Sequence, residues 1–399
     1  MQVTRNVRKV VQSIVTGGSE LPGAPSEDLV SAALRHIAAK LPVPGSRVVV
    51  AMSGGVDSSV VASIAHWHGC ETIGVTLRLS DSGAAPSRAG ACCAGSDIAD
   101  ARAVADRRGF AHYVLDYASA FRTEVMEAFA DSYLAGRTPV PCINCNQTVK
   151  FRDLMAVADD LGADALLTGH YVQRFDGANG PELHRAADPA KDQSYFLFAT
   201  TAAQLARLGF PLGGLDKPTV RLLARHFGLT VANKPDSQDI CFVPDGDYRA
   251  VVRALRPEAG APGDIVDLDG RLLGHHGGLI GFTVGQRRGI DVGGQAEPLY
   301  VVRLEPESNR LVVGPRAALA VSTVCLDALS WIGGPLPEGG LDVAVKLRSM
   351  APLARARLFG GPSPRLDLAN PQYGVSPGQA AVCYDGNRVL GGGFIAAAT

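Results

Sequence analysis

The chain has 399 residues, 46% of them apolar and 19% charged, with a formal net charge of −1. That length exceeds one small core and predicts two or three domains, while the near-neutral balance leaves any RNA contact to local basic patches. No run of about 18 apolar residues occurs, which argues against a membrane-spanning helix.

Thr4 to Val15 places Val7, Val10, Val11 and Ile14 at helical spacing beside Arg5, Arg8 and Lys9, with no acid before Glu20. A transit peptide and a bacterial N-terminal extension both fit that pattern, which leaves a cytoplasmic location or an organellar matrix open. Ser26 to Leu41 is a clearer amphipathic helix, stopped by Pro42 and Pro44. Residues 1–45 are therefore assigned as an N-terminal extension.

Val48 to Met52 is a β-branched apolar run that predicts a buried parallel strand. Ser53, Gly54 and Gly55 form a turn without bulky side chains, and Asp57, Ser58 and Ser59 open a helical pattern continued by Val60, Val61, Ile64 and Ala65. A strand feeding a helix through glycines points several backbone N–H groups at one place, which suits a phosphate. The loop lacks the lysine of a Walker A loop.

Strands at Thr72–Leu79, His112–Leu115 and Ala165–Thr168 then alternate with helices at Asp97–Arg108, Phe121–Leu134 and Lys150–Leu161. The order predicts an α/β domain with a doubly wound parallel sheet over residues 46–245, its ligands lying beyond the C-terminal strand ends, where Gly169 and His170 fall. Past about Gly246 short β-rich runs between Gly and Pro predict a small mostly-β central domain (246–318) and a C-terminal β-barrel (319–399). Lys346, Arg348, Arg355 and Arg357 alternate along two of its strands as one basic face, suited to an RNA backbone or simply solvated.

Eight cysteines occur, and the first 20 residues lack the apolar core and cleavage site of a secretory signal. A reducing compartment follows, in which clustered cysteines read as chemistry or metal sites before disulfides. Cys142 and Cys145 stand in Pro141-Cys-Ile-Asn-Cys145, and Cys241 in Lys234-Pro-Asp-Ser-Gln-Asp-Ile-Cys241, with Lys191-Asp-Gln193 between them. Cys70, Cys325 and Cys383 occupy apolar contexts and read as core, Cys92 and Cys93 as a loop or structural pair. His66 and His68, two apart at a helix end, face differently and read as surface or core.

The string Ser53-Gly-Gly-Val-Asp-Ser-Ser59 resembles the pyrophosphate loop of adenylating enzymes that split ATP between the α- and β-phosphates. Together with the cysteine strings, in order and spacing from about residue 47 onward, it is identified as that of the bacterial and organellar tRNA-specific 2-thiouridylase family. The resemblance implies an adenine nucleotide alpha hydrolase-like domain, a small central domain and a barrel. It implies adenylation of the wobble-uridine 2-oxygen in tRNA followed by sulfur transfer, with ATP and Mg²⁺ as cofactors and tRNA and a sulfur-donor protein as partners. ATP contacts carry over to Ala51, Met52, Ser53, Gly54, Gly55, Val56, Asp57, Ser58, Leu77 and Gly169. Contacts to tRNA carry over to His170, Lys191, Asp192, Gln193 and Gln379, the persulfide carrier to Cys241, and its partner nucleophile to Cys145. Asp57 is a candidate Mg²⁺ ligand.

The family often has Asp where this chain has Cys142. If the family fold brings Cys241 near Cys142 and Cys145, three thiolates suit a [4Fe-4S] cluster with one open iron; a metal-free persulfide relay through Cys145 and Cys241 is the preferred reading over it. A Cys142–Cys145 disulfide or a structural zinc stays as a further alternative, zinc lacking an evident fourth ligand. Two other functions compete: an amidating synthetase of the same loop class, with no use for the cysteines, and a non-catalytic RNA-binding or sulfur-carrier protein, with no use for a pyrophosphate site.

Overall fold

A computed structural model describes residues 26–80, 95–236, 240–243, 246–293 and 297–399. The expected helix at Thr4–Val15 and the Cys92–Cys93 pair lie outside the described residues.

The first domain is built on the parallel sheet that the sequence pattern predicts. Its strands are β1 (Arg47–Ala51), β2 (Glu71–Arg78), β3 (Ala111–Asp116) and β4 (Ala165–Leu167), with a short edge strand at Leu208–Gly209. They run in the order β3-β2-β1-β4 and then the edge strand, all parallel. Alternation along β1 sends Val48 and Val50 to one face and Val49 to the other, and all three are fully buried. Val48 and Val50 pack with the helices Ser26–Ala38, Val56–Trp67, Gly95–Arg108 and Lys217–His226. Val49 packs with Val75, Leu77, Phe121, Ile143 and Phe151 on the opposite face. Two covered faces explain why β1 reads as an uninterrupted apolar run.

The helical stretch from Ala118 to Leu134 is wound as a π-helix over Arg122–Glu127, and the stretch that begins at Pro141 is wound so over Asn146–Asp153. Such wide turns accumulate at functional sites, and the second lies directly after Cys145.

Between β4 and the edge strand the chain makes an antiparallel hairpin, β5 (Val172–Gly177) and β6 (Gly180–Arg185); the edge strand is accordingly β7. The central domain carries β8 (Gly263–Val266), β9 (Leu272–His276), β10 (Tyr300–Glu305) and β11 (Arg310–Gly314) in the order β10-β11-β8-β9. Its helix Tyr248–Leu255 leans on the first domain, where Tyr248 stacks on Tyr133 with ring centroids 4.8 Å apart.

The C-terminal strands are β12 (Ala320–Leu326), β13 (Ser330–Trp331), β14 (Leu341–Lys346), β15 (Ala354–Phe359), β16 (Arg365–Tyr373), β17 (Ala380–Asp385) and β18 (Arg388–Ala398). The order β12-β16-β15-β14-β17-β18 closes through pairing of β12 with β18, giving the expected antiparallel barrel. The β5–β6 hairpin extends this sheet, with Leu183 opposite Val389 and His184 opposite Arg388.

That pairing and a set of side chains fix the barrel to the nucleotide domain. Tyr195 donates to the Ala380 carbonyl at 3.0 Å and accepts from its N–H at 3.1 Å, while Ser194 meets Tyr384 at 3.1 Å. On the outer barrel face Arg355 and Arg357 are exposed, and Lys346 sits close enough to Asp192 and Arg185 to feel both charges. Cys70 and Cys383 are buried as expected. Cys325 is a correction. It is exposed, because β12 turns Val324 and Leu326 inward and leaves the residue between them on the outer face.

Candidate active site around the phosphate loop

β1 ends at Ala51, and the Met52 N–H still donates to the Val75 carbonyl at 2.8 Å. Gly54 then turns with φ +71°, and a Cβ there would lie 2.1 Å from the Asp97 carbonyl oxygen, so only glycine fits. Gly55 precedes the helix Val56–Trp67 in extended conformation and brings no side-chain cap to the first-turn amides. Ser58 and Ser59 fold back instead. Ser58 Oγ accepts from the Ser53 N–H at 3.1 Å and Ser59 Oγ donates to the Gly55 carbonyl at 2.8 Å. The result is a rigid concave turn at a helix N-terminus, a geometry that favours an anion.

Gly169 faces this turn. A Cβ on it would approach Ser58 N to 2.9 Å, so the glycine lets the end of β4 close on the loop. His170, next along, shares a hydrogen bond with Thr168 Oγ1 at 2.9 Å and stands edge-on to Phe151. Enclosure, and then the nearby Lys150 charge, push its imidazole down to about 3, so it is neutral at physiological pH.

Asp57 is held by a lysine and a tyrosine. Its carboxylate accepts from Lys217 Nζ at 2.8 and 2.7 Å and from the Tyr171 hydroxyl at 2.8 Å. Lys217 also pairs with Asp236 at 2.8 Å, and Asp236 with Lys191 at 2.7 Å and Arg221 at 3.2 Å. Burial would raise the Asp236 carboxyl, but the bonds from Lys191 and Lys217 outweigh it and hold the group below the ordinary carboxylate value. Lys234 reaches the loop itself, donating to the Gly54 carbonyl at 3.0 Å, to Asp97 at 2.5 Å and to Asp100 at 2.6 Å.

Lys217, Lys234 and Asp236 were not singled out from the sequence, yet a signal existed. Lys217 follows the helix cap Asp216, whose side chain accepts from the Thr219 N–H at 2.9 Å. A cation in a first helical turn opposes the helix dipole. A lysine there that is also 7% exposed needs carboxylate partners from elsewhere in the fold.

Three residues carried over as tRNA contacts also make side-chain hydrogen bonds within the protein. Asp192 accepts from Arg185 Nε at 2.9 Å, the Ala186 N–H at 3.1 Å and Ser194 Oγ at 3.0 Å. Gln193 Oε1 accepts from the Tyr171 N–H at 2.8 Å. Gln379 Nε2 donates to the Thr138 carbonyl at 3.0 Å, where the loop Ser376–Gln379 of the barrel docks just before the C-x-x-C helix; Thr138 N also donates to the Pro377 carbonyl at 2.8 Å.

Cys142 is exposed and Cys145 buried, both on the short helix Pro141–Cys145 opened by its proline. Cys145 belongs to the same apolar cluster as Leu77, and Ala51 and the half-buried Cys241 pack against that cluster. Phe242 anchors Cys241 there, edge-on to Phe121 and Phe129 at 5.7 and 5.2 Å between centroids. The ends of β1 and β2 and both cysteines therefore border one core. Beside Cys145, Asn146 is 3% exposed; its amide donates to the Phe196 carbonyl at 3.2 Å and its Oδ1 is without a partner. Among the described residues no three His, Cys, Asp or Glu side chains come together as a metal-holding group.

A parallel α/β sheet with a glycine phosphate cradle at its strand ends defines a nucleotide-binding protein of the pyrophosphate-loop class. Family models described as "tRNA methyl transferase HUP domain", "tRNA methyl transferase PRC-barrel domain" and "Aminomethyltransferase beta-barrel domain" match residues 46–245, 251–315 and 321–395. Proteins named tRNA-specific 2-thiouridylase MnmA from Rhizorhabdus wittichii and Sphingopyxis alaskensis are 66% and 61% identical, over 88% and 89% of this chain and 92% of each of theirs. The chain belongs to the tRNA-specific 2-thiouridylase family. Two solved structures are similar to part of the chain at lower identity. One is U34-tRNA thiolase NcsA from Methanococcus maripaludis with its [4Fe-4S] cluster, at 17% identity and TM-score 0.37 over 58% of this chain and 79% of that one. Another is a 4-thiouridine synthetase–RNA complex with bound ATP, at 20% and 0.36 over 55% and 52%.

Proposed function

We propose that this chain is a tRNA uridine 2-sulfurtransferase that adenylates the wobble-uridine 2-oxygen with ATP and replaces it with sulfur. The observation that carries the reading is the common core bordered by the phosphate-loop strand, Cys145 and Cys241. An activating site and two thiols that border the same core suit a reaction that needs both. A methyl transfer, which the family-model names suggest, has no use for a pyrophosphate loop.

The uracil 2-carbonyl is a poor electrophile without a leaving group. Its oxygen attacks the α-phosphorus of ATP, pyrophosphate departs, and the N3 proton is lost. The terminal sulfur of a Cys241 persulfide then adds to C2, and AMP leaves with the former carbonyl oxygen. Attack of the Cys145 thiolate on the Cys241 sulfur forms a Cys145–Cys241 disulfide and frees 2-thiouridine, whose N3 takes back a proton. A thiol reductant and a persulfide-bearing donor protein restore Cys241 for the next turn.

In this scheme the first-turn amides of Val56–Trp67 hold the phosphates, Gly54 and Gly169 allow close approach, and Lys217 and Lys234 shape the loop from behind. A Mg²⁺ ion bound with ATP would supply charge neutralisation of the triphosphate, and at Asp57 it would have to displace Lys217. The relay uses Cys145 and Cys241 alone and routes no step through an iron–sulfur cluster. A neutral His170 offers tRNA a hydrogen bond or a stacking edge rather than a charge. No described helix is long and apolar enough to cross a membrane, and the cytoplasm, where tRNA is modified, is the proposed location.

The test is thiolation of unmodified tRNA by purified protein with ATP and a persulfide donor, alongside Cys145→Ser and Cys241→Ser. Loss of 2-thiouridine in both variants, with tRNA-dependent ATP–pyrophosphate exchange retained, supports the reading. Full activity in either variant favours an amidating synthetase, and absence of exchange in the wild type favours a non-catalytic binder.

A further inference from the structure

We propose that Asp236, clamped by Lys217, is a positioning residue that latches the segment leading to Cys241 onto the phosphate loop, so that adenylation and sulfur delivery occur in register. The inference rests on the sulfur-transfer reading above and adds to it a group that touches neither ATP nor sulfur.

The segment is stapled at two points two residues apart. Lys234 is tied to the loop directly, through the Gly54 carbonyl, and to Asp97 and Asp100 on the neighbouring helix Gly95–Arg108. Asp236 is tied indirectly. Its partner Lys217 sits between two carboxylates, Asp236 at 2.8 Å and Asp57 of the loop helix at 2.7 Å. Arg221 holds the same stretch by its backbone, donating to the Ala232 and Lys234 carbonyls at 2.9 and 3.0 Å. Cys241 follows Asp236 by five residues, so the chain keeps the two Cα atoms within about 18 Å of one another. Wherever the staples place residue 236, they limit where the thiol can be.

The same chain of charges reaches outward. Asp57, Lys217, Asp236 and Lys191 alternate in sign, and Lys191 opens the turn that the family resemblance assigns to tRNA. The cradle, the stretch leading to Cys241 and the turn that the resemblance assigns to tRNA are thus joined by one buried lysine and one carboxylate. Buried ion pairs earn little net stability, so a set like this is better explained by fixing geometry than by holding the fold.

The test compares two readouts in the same preparations: tRNA-dependent ATP–pyrophosphate exchange, which reads adenylation, and 2-thiouridine formation. Asp236→Asn is expected to lower exchange by no more than about threefold and thiolation by about thirtyfold or more, so the ratio of thiolation to exchange drops roughly tenfold. Asp236→Glu, which restores the charge, recovers part of that ratio. A merely structural role would depress both rates together and lower Tm, leaving the ratio unchanged, and that result overturns the latch. If Asp236→Asn does not fold, Lys191→Met removes the outer, one-third-exposed arm and is expected to lower the ratio about threefold; an unchanged ratio there overturns it equally. Wild-type protein without exchange, or Cys241→Ser that still thiolates, would defeat the underlying reading rather than the latch, so the two failures are distinguishable.

Discussion

Gly54→Ala separates the shape of the phosphate loop from the stability of the fold. A Cβ at this position would stand 2.1 Å from the Asp97 carbonyl oxygen, against the 3.0 Å that real contacts respect, so loop and helix must part by about 0.9 Å. Backbone atoms crowd it, hence no rotamer change relieves it. The residue also sits at φ +71°, where an alanine costs about 1–2 kcal/mol of strain. Gly45→Ala is the matched control, with φ +88° and nothing within 4 Å of the new methyl. Strain alone predicts a loss of about 1–2 kcal/mol in both, or roughly 2–8 °C in Tm for a domain of this size. Displacement is confined to Gly54→Ala, and a misplacement near 1 Å at a reacting centre costs on the order of 100-fold in rate. Calorimetry with a tRNA-dependent ATP–pyrophosphate exchange assay reads both. Near-normal exchange in a folded Gly54→Ala protein, or equal loss in the two variants, would refute the geometric argument.

Other expectations follow from the same geometry. His170 has its folded-state pKa lowered to about 3 against an ordinary 6.5, so the unfolded chain binds the proton first; stability is full above about pH 6.5 and falls as pH drops toward 3, by about 2 kcal/mol at pH 5. Denaturant titrations at pH 7 and 5 should show that loss in the wild type and a smaller one in His170→Gln. Maleimide should modify exposed Cys325 rapidly in the native protein and Cys383 only on unfolding, since burial pushes that thiol up to about 12; mass spectrometry of labelled peptides decides it. Gln379→Ala removes the bond to the Thr138 carbonyl, worth about 1 kcal/mol, and should raise hydrogen exchange at Thr138, whose N–H is held by the same barrel loop; no change there would show the docking does not depend on Gln379.

The fold was legible where local pattern and final environment agree. Val48 to Val50 are buried on both faces of a parallel sheet, so the apolar run, the glycine turn and the polar helix start could be read from the chain alone. The barrel followed from short alternating runs. The β5–β6 hairpin did not, because its partner strand β18 lies some two hundred residues later and nothing in residues 172–185 announces that pairing. Cys325 was misread because its neighbours are apolar, although on a strand neighbours point the opposite way.

At the site, the cradle and its glycines were legible as a motif. The ionic frame behind it was not. Lys217 meets Asp57 across 160 positions, and Lys234 meets Gly54 across 180. Such pairs leave no periodic trace, only the oddity of a lysine in the first turn of a helix. Asp192 and Gln193, named through the family resemblance as tRNA contacts, also bond to Arg185 and to the Tyr171 N–H, and nothing local in the sequence announces those bonds.

The central claim is that sulfur passes from Cys241 to a carbonyl activated at the cradle. Single-turnover transfer from protein carrying a ³⁵S persulfide tests it most directly. The account predicts that label enters tRNA only when ATP is present, and that none is transferred by Cys241→Ser. Label reaching tRNA without ATP, or equal transfer from the Cys241→Ser protein, would contradict it.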